Sequence, residues 1–220
     1  MKVASKRKGK AGRRAGVGLG FCLALAMFPF TLAFAGAQPD AKITVRVYNY
    51  AHVPSGALAG AETEARRILT AAGVDSLWLD CFGPRGQFRS EANEGCAGLL
   101  GGRVLAVRIL PGTTLAKAAF HDTVFGFAEG TAVASVFYGR ITDFAYGVDG
   151  QDWEIPLILG DAMTHELGHL LLGSGSHSPT GIMCGQWDRD YLRLALMGRQ
   201  LFTPQQSALL QVNVLLRNGE

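Results

Sequence analysis

Residues 156–172 constrain this chain more than any other stretch. They read PLILGDAMTHELGHLLL, an almost unbroken aliphatic run with His165, Glu166 and His169 set inside it. Pro156 suits a first helical position, and Gly173 and Gly175 follow the run as stop signals. A helix that is apolar all round belongs in an interior, so the other elements have to enclose it. Imidazole and carboxylate groups buried there without partners would cost free energy unless they serve a purpose.

The enclosing elements are legible in outline. Residues 43–49 alternate, with Ile43, Val45 and Val47 on one face and Thr44, Arg46 and Tyr48 on the other, which predicts a strand. Ser55 is expected to cap a helix that reaches about Ala72 and stops at Gly73; Leu58, Ala61, Ala65, Ile68, Leu69 and Ala72 keep helical spacing. Residues 76–82 and 104–110 are short runs rich in Val, Ile, Leu and Trp, hence strands. Residues 132–138 are expected to form an edge strand, and residues 113–131 read as irregular. The acidic residues 149–152 lack the spaced ligands of a calcium loop, so they read as a turn. Thr203-Pro204-Gln205-Gln206 opens a C-terminal helix with a capping box. Its expected buried side is Ala208, Val212, Leu215 and Leu216. The expected fold is α/β (α+β): one domain over residues 38–220, with a small mixed twisted sheet, the long apolar helix and the C-terminal helix.

Residues 1–37 have a different character. Seven of the 21 basic residues fall in the first fourteen positions, and no acid precedes Asp40. An apolar run over residues 17–35 then leads into Ala33-Phe34-Ala35-Gly36-Ala37. That order is a secretory signal peptide, cut after Ala37 or after Ala35. An uncleaved anchor just long enough to span a bilayer is the alternative. Either one carries the remainder out of the cytosol, to a secreted or periplasmic location. Without the basic leader, 14 basic residues face 18 acidic ones, so the overall +3 charge is misleading. The remainder has neither the basic face of a nucleic-acid-binding domain nor a strong membrane-surface patch. Cys22 goes with the leader. Cys81 and Cys96 flank a polar loop containing Gly83-Pro84-Arg85-Gly86, and in an oxidising compartment they are expected to pair. Cys184 is left as a small buried free thiol.

The chemistry lies in the apolar helix. His165 and His169, at i and i+4, share one helix face about one turn apart, so both imidazoles can reach one ion. Zinc takes nitrogen ligands, and a catalytic zinc takes three protein ligands plus a water whose pKa it lowers to about 7. Glu166, beside the first histidine, can take the proton of that water as it attacks a carbonyl. Glu220 is the only glutamate downstream of His169, which leaves His177, Asp188 and Asp190 as candidates for the third ligand. His177 follows the flexible turn Gly173-Ser174-Gly175-Ser176, and a third neutral imidazole completes the common histidine-rich zinc site. Asp188 is its rival. His52 and His121 lie in loop-like stretches and read as surface residues. Trp78, Trp153 and Trp187 read as core or rim aromatics.

The run HELGHLLLGSGSHSPTGIM resembles the zincin metalloproteases of the metzincin type. Those carry the motif H-E-x-x-H-x-x-G-x-x-H and a later Met-turn beneath the metal. Here the glycine falls one residue late and the third histidine two residues late. The resemblance implies a zincin-like fold, with His165, His169 and His177 as zinc ligands, Glu166 as general base and Met183 as the Met-turn residue. Gly185-x-x-Asp188-x-x-Tyr191 resembles the aspartate-ligand zincins, which keeps Asp188 in view. Tyr191 could aid a developing oxyanion as in some relatives, but the expectation is that it is packed. Trp78-Leu79-Asp80-Cys81 and Val136-Phe137-Tyr138 also make the chain similar to a group of uncharacterised secreted bacterial proteins. The resemblance implies a secreted zinc-dependent peptidase with a peptide or protein substrate, no nucleic acid and no stable membrane partner. The same motif would serve a zincin-like metal-binding module without proteolysis, or a zinc amidase acting on a non-protein amide. The intact Glu166 favours an enzyme.

Overall fold

Strand β1 (Lys42–Asn49) runs parallel to strand β2 (Asp75–Asp80) on one side and to strand β3 (Val104–Leu110) on the other. The computed structural model describes residues 41–81, 94–112, 124–148 and 151–217; the leader, residues 82–93, His121 and residues 149–150 lie outside them. Strand β4 (Gly126–Glu129) and strand β5 (Val133–Phe137) complete a sheet of order β2-β1-β3-β5-β4. Strand β5 is parallel to β3, and β4 is antiparallel to β5. The sheet is therefore mixed, and the fold is α/β.

Two expectations need correction here. The strand near residues 132–138 is interior, flanked by β3 and β4. The edge is β4, which lies within the stretch read as irregular. Its sequence, Gly-Phe-Ala-Glu, is short and holds three residue types depleted in strands, so composition hides it. Its pairing to β5 makes it a strand.

The polar face read for β1 is only partly polar in its surroundings. Arg46 is buried, and its guanidinium donates to the carbonyls of Gly95, Ala97 and Gly98. Those carbonyls adjoin the disulfide Cys81–Cys96, which forms as expected. Cys184 is free, but half-buried rather than buried.

Helix α1 (Ser55–Ala71) carries its expected buried side, Leu58, Ala61, Ala65, Ile68 and Leu69. Ser55 does not cap it: Pro54 holds the cap position without a side-chain bond. The turn before it is shaped by Asn49, whose side chain bonds both the amide and the carbonyl of Val53 at 2.9 Å. Helix α2 (Tyr138–Gly147) follows β5 with no intervening residue and no side-chain cap to mark its start. Helix α3 (Ile155–Leu172) is the long apolar element. It packs on α1, on β4 and β5, and on the C-terminal helix. Ile158, Leu159, Met163 and Leu167 are wholly enclosed, each such side chain favouring the fold by about 1.5–3 kcal/mol. Helix α4 is a short element over Arg189–Leu196. Helix α5 (Pro204–Leu216) opens with the expected capping box between Thr203 and Gln206.

The buried side of α5 is Gln206, Leu210 and Val214, not the side expected. Polar anchors turn the helix. Gln206 donates to the carbonyl of Ser176 at 2.9 Å, and Asn213 donates to that of Leu171 at 2.7 Å. Ala208, Val212 and Leu216 face outward, and Leu215 is half-buried. Among the described residues no helix is long and apolar enough to cross a membrane.

Candidate metal centre

Helix α3 projects His165 and His169 from one face, and the turn over residues 173–176 brings His177 back to them. The three Nε2 atoms form a nearly equilateral triangle: 3.2 Å from His165 to His169, 3.1 Å from His169 to His177 and 3.3 Å from His177 to His165. Three nitrogens bound tetrahedrally at roughly 2.0–2.1 Å would stand about 3.3 Å apart.

The partners on the far side of the rings explain why the Nε2 atoms converge. The Nδ1–H of His165 donates to the carbonyl of Ile182 at 2.7 Å. That of His169 meets Ser176 Oγ at 3.1 Å, and the hydroxyl in turn donates to the Gly173 carbonyl at 2.7 Å. These bonds place the ring proton on Nδ1 and leave a lone pair on Nε2. Burial also lowers the His165 pKa to about 4 and pulls His169 below its ordinary value, so both rings are neutral. Lone pairs pointing at one another have no donor between them. A cation is what such a donor set fits, and three imidazoles suit zinc.

Met183 is fully buried and lies against Gly168, between Glu166 and His169 in sequence on α3. A Cβ at Gly168 would overlap the Met183 Sδ, so the fourth residue of HELGH has to lack one. The backbone around Met183 also serves the site. Ile182, whose carbonyl holds His165, donates its own amide to the Leu201 carbonyl at 3.0 Å.

Glu166 is buried beside the triad and lies against strand β4. A Cβ on Gly126 would come within 2.8 Å of Glu166 Oε1 and 2.7 Å of its Cγ, so the edge strand reaches the carboxylate only because it carries glycine there. Burial pushes the Glu166 carboxyl up to about 8. A dication on the neighbouring histidines acts in the opposite direction.

The other candidates lie elsewhere. Asp188 is the N-cap of α4, accepting the Tyr191 amide at 2.8 Å. Asp190 is exposed, 3.8 Å from Arg193. Tyr191 is buried and donates its hydroxyl to Asp161 Oδ2 at 3.2 Å, so it is packed as expected. His52 is exposed, Trp78 is buried and Trp153 is exposed. Trp187 is at the site, its ring edge-on to His165 with centroids 6.1 Å apart.

An open cleft of about 490 Å³ runs over the triad. Its walls come from α3, from the loop after His177 and from residues 124–131. Phe125, Gly126 and Phe127 in that last segment escape sequence reading, since no periodicity or motif marks them. No protein-family model matches this chain, and no curated protein matches it in sequence. A solved structure, the zinc-dependent peptidase from Methanocorpusculum labreanum (strain Z), is similar to it in fold. The TM-score is 0.52 at 20% sequence identity, and the match covers 76% of this chain and 99% of that one.

Proposed function

We propose that this chain is a secreted zinc peptidase of metzincin-like type. The observation that carries the reading is the triangle of His165, His169 and His177 Nε2 atoms with Glu166 beside it in an open cleft. The similar fold of a zinc-dependent peptidase supports it.

His165, His169 and His177 would hold the zinc. When bound, the ion makes a water more acidic and polarises the carbonyl of the scissile amide. Glu166 takes the proton from the attacking water and returns it to the leaving nitrogen. Its burial keeps the carboxylate poorly solvated and therefore basic. The substrate is an extended peptide or protein segment lying along β4, the edge strand, which offers main-chain groups to another strand. Export fits the disulfide, which is stable in oxidising compartments. In this reading residues 1–37 are removed, and the mass of the exported chain reports the cut.

Replacing the base separates binding from chemistry. Glu166→Gln is expected to retain one zinc per chain and to lose hydrolysis of a peptide library by on the order of 10²–10⁴-fold. Metal analysis and the library assay read the two halves. A variant as active as the parent would refute the mechanism. A parent that binds zinc yet cleaves neither peptides nor amides would be a binding module.

A further inference from the structure

Trp187 stands at the cleft on a loop whose neighbours Gly185, Gln186 and Asp188 are exposed, so local backbone packing does little to hold its ring. The ring itself is half-buried and is held by Cys184, Phe125, Tyr191 and, edge-on, Phe144. Its Nε1–H donates to the Cys184 carbonyl at 3.0 Å. One face stacks on Phe125, with centroids 4.8 Å apart and planes at 30°, and Phe125 is another cleft residue. Trp187 also stacks on Tyr191 at 4.2 Å and 11°. Aromatic pairs of this kind have a preferred geometry, so an orientation imposed on Tyr191 passes to Trp187.

What orients Tyr191 lies behind the cleft. Its hydroxyl donates to Asp161, which is fully enclosed on α3 one turn before His165. Burial, with Glu64 nearby, holds the Asp161 carboxyl well above its usual range against the opposing pull of Tyr191 and Arg67. A buried carboxyl that takes no part in the metal centre is costly unless it fixes something. A buried bond thus connects the helix that carries the histidines to Tyr191, on which the ring that borders them is stacked.

We propose that Asp161 and Tyr191 are a positioning pair that sets Trp187 as the aromatic wall of the cleft, and through it the preference for a bulky apolar side chain beside the scissile bond. Phe125, Phe127, Leu170 and Trp187 give the cleft its apolar surface. With the wall fixed, a large apolar side chain gains contact that alanine cannot. With the wall loose, the difference shrinks. The selectivity part rests on the peptidase reading, whereas the placement of Trp187 does not.

The test uses the mature chain carrying Trp153→Phe, which removes an exposed tryptophan that does not line the cleft. Acrylamide quenching then reports mainly Trp187, because Trp78 is buried. Tyr191→Phe keeps the ring and loses only the hydroxyl. It is expected to keep one zinc per chain and to raise the quenching constant. It should also lower the ratio of kcat/KM for leucine or phenylalanine over alanine substrates by about 3- to 10-fold, the range one lost hydrogen bond spans. Asp161→Val should reproduce this, and Asp161→Asn, whose amide oxygen can still accept from the hydroxyl, should match the parent. Unchanged quenching in Tyr191→Phe and Asp161→Val overturns the pair. Raised quenching with unchanged selectivity overturns its link to specificity. A parent without peptidase activity defeats the proposed function, and the quenching result still decides the placement of Trp187.

Discussion

At the scale of single residues, His177 and Asp188 show how one chemical role is assigned between two plausible donors. Both follow the second histidine, and Asp188 lies far enough beyond it to look out of reach. The imidazole reaches the triad because residues 173–176 reverse the chain, and Ser176 stiffens the reversal by bonding His169 on one side and Gly173 on the other. The carboxylate of Asp188 is already engaged with the first turn of α4, where an acceptor is wanted for an amide that has no partner within the helix. Two substitutions should therefore behave oppositely. His177→Ala is expected to lose most bound zinc while the fold persists. Asp188→Ala should keep the metal and lower stability by about 1 kcal/mol, as cap removal does. Metal analysis paired with urea unfolding checks both. Full zinc in His177→Ala together with depletion in Asp188→Ala would assign the third ligand to the aspartate.

At the scale of elements, the parts the sequence announces are those whose pattern is set by burial on one side or all round. Strands β1 and β3, helix α1 and helix α3 are of this kind, and so is the pair of histidines one turn apart. The elements it conceals take their form from partners. Strand β4 is a strand because β5 lies beside it, and α2 begins where β5 ends with no residue to mark the change. The turn of α5 about its axis is set by the side-chain amides of Gln206 and Asn213 reaching the carbonyls of Ser176 and Leu171, which a hydrophobic period cannot register. The clustered histidines of the candidate site were thus legible and most of its walls were not, because Phe125 and Gly126 belong to a loop or to the edge. The orientation of α5 gives a direct check. Leu210 is fully buried and Val212 is about half exposed, 51%. Leu210→Ala should cost roughly 2–5 kcal/mol, and Val212→Ala should stay within about 0.5 kcal/mol of the parent. Denaturant midpoints that rank these two the other way would show the helix turned to the side the sequence suggested.

At the scale of the whole molecule, the order β2-β1-β3-β5-β4 separates two kinds of work across the sheet. Glu166 and the cleft lie against β4 at one edge. The disulfide closes at the end of β2, at the other edge, and Arg46 on β1 ties the residues on both sides of Cys96 to the sheet through three carbonyls. The covalent tie should therefore support the fold without shaping the metal centre. Cys81 and Cys96 are 15 residues apart, and closing a loop of that length stabilises by about 3 kcal/mol in the chain-entropy picture. The Arg46 bonds to Gly95, Ala97 and Gly98 are expected to outlast the disulfide, so the native contacts there should persist. Replacing both cysteines with serine is expected to lower Tm by about 6–12 °C for a chain of this size while leaving one zinc per chain. Calorimetry of the zinc-loaded and zinc-free forms separates the effects, since the metal's own contribution to Tm should be the same in the variant and the parent. A variant that stays folded at room temperature yet no longer holds zinc would mean that the two edges of the sheet are coupled, and that the disulfide belongs to the metal centre.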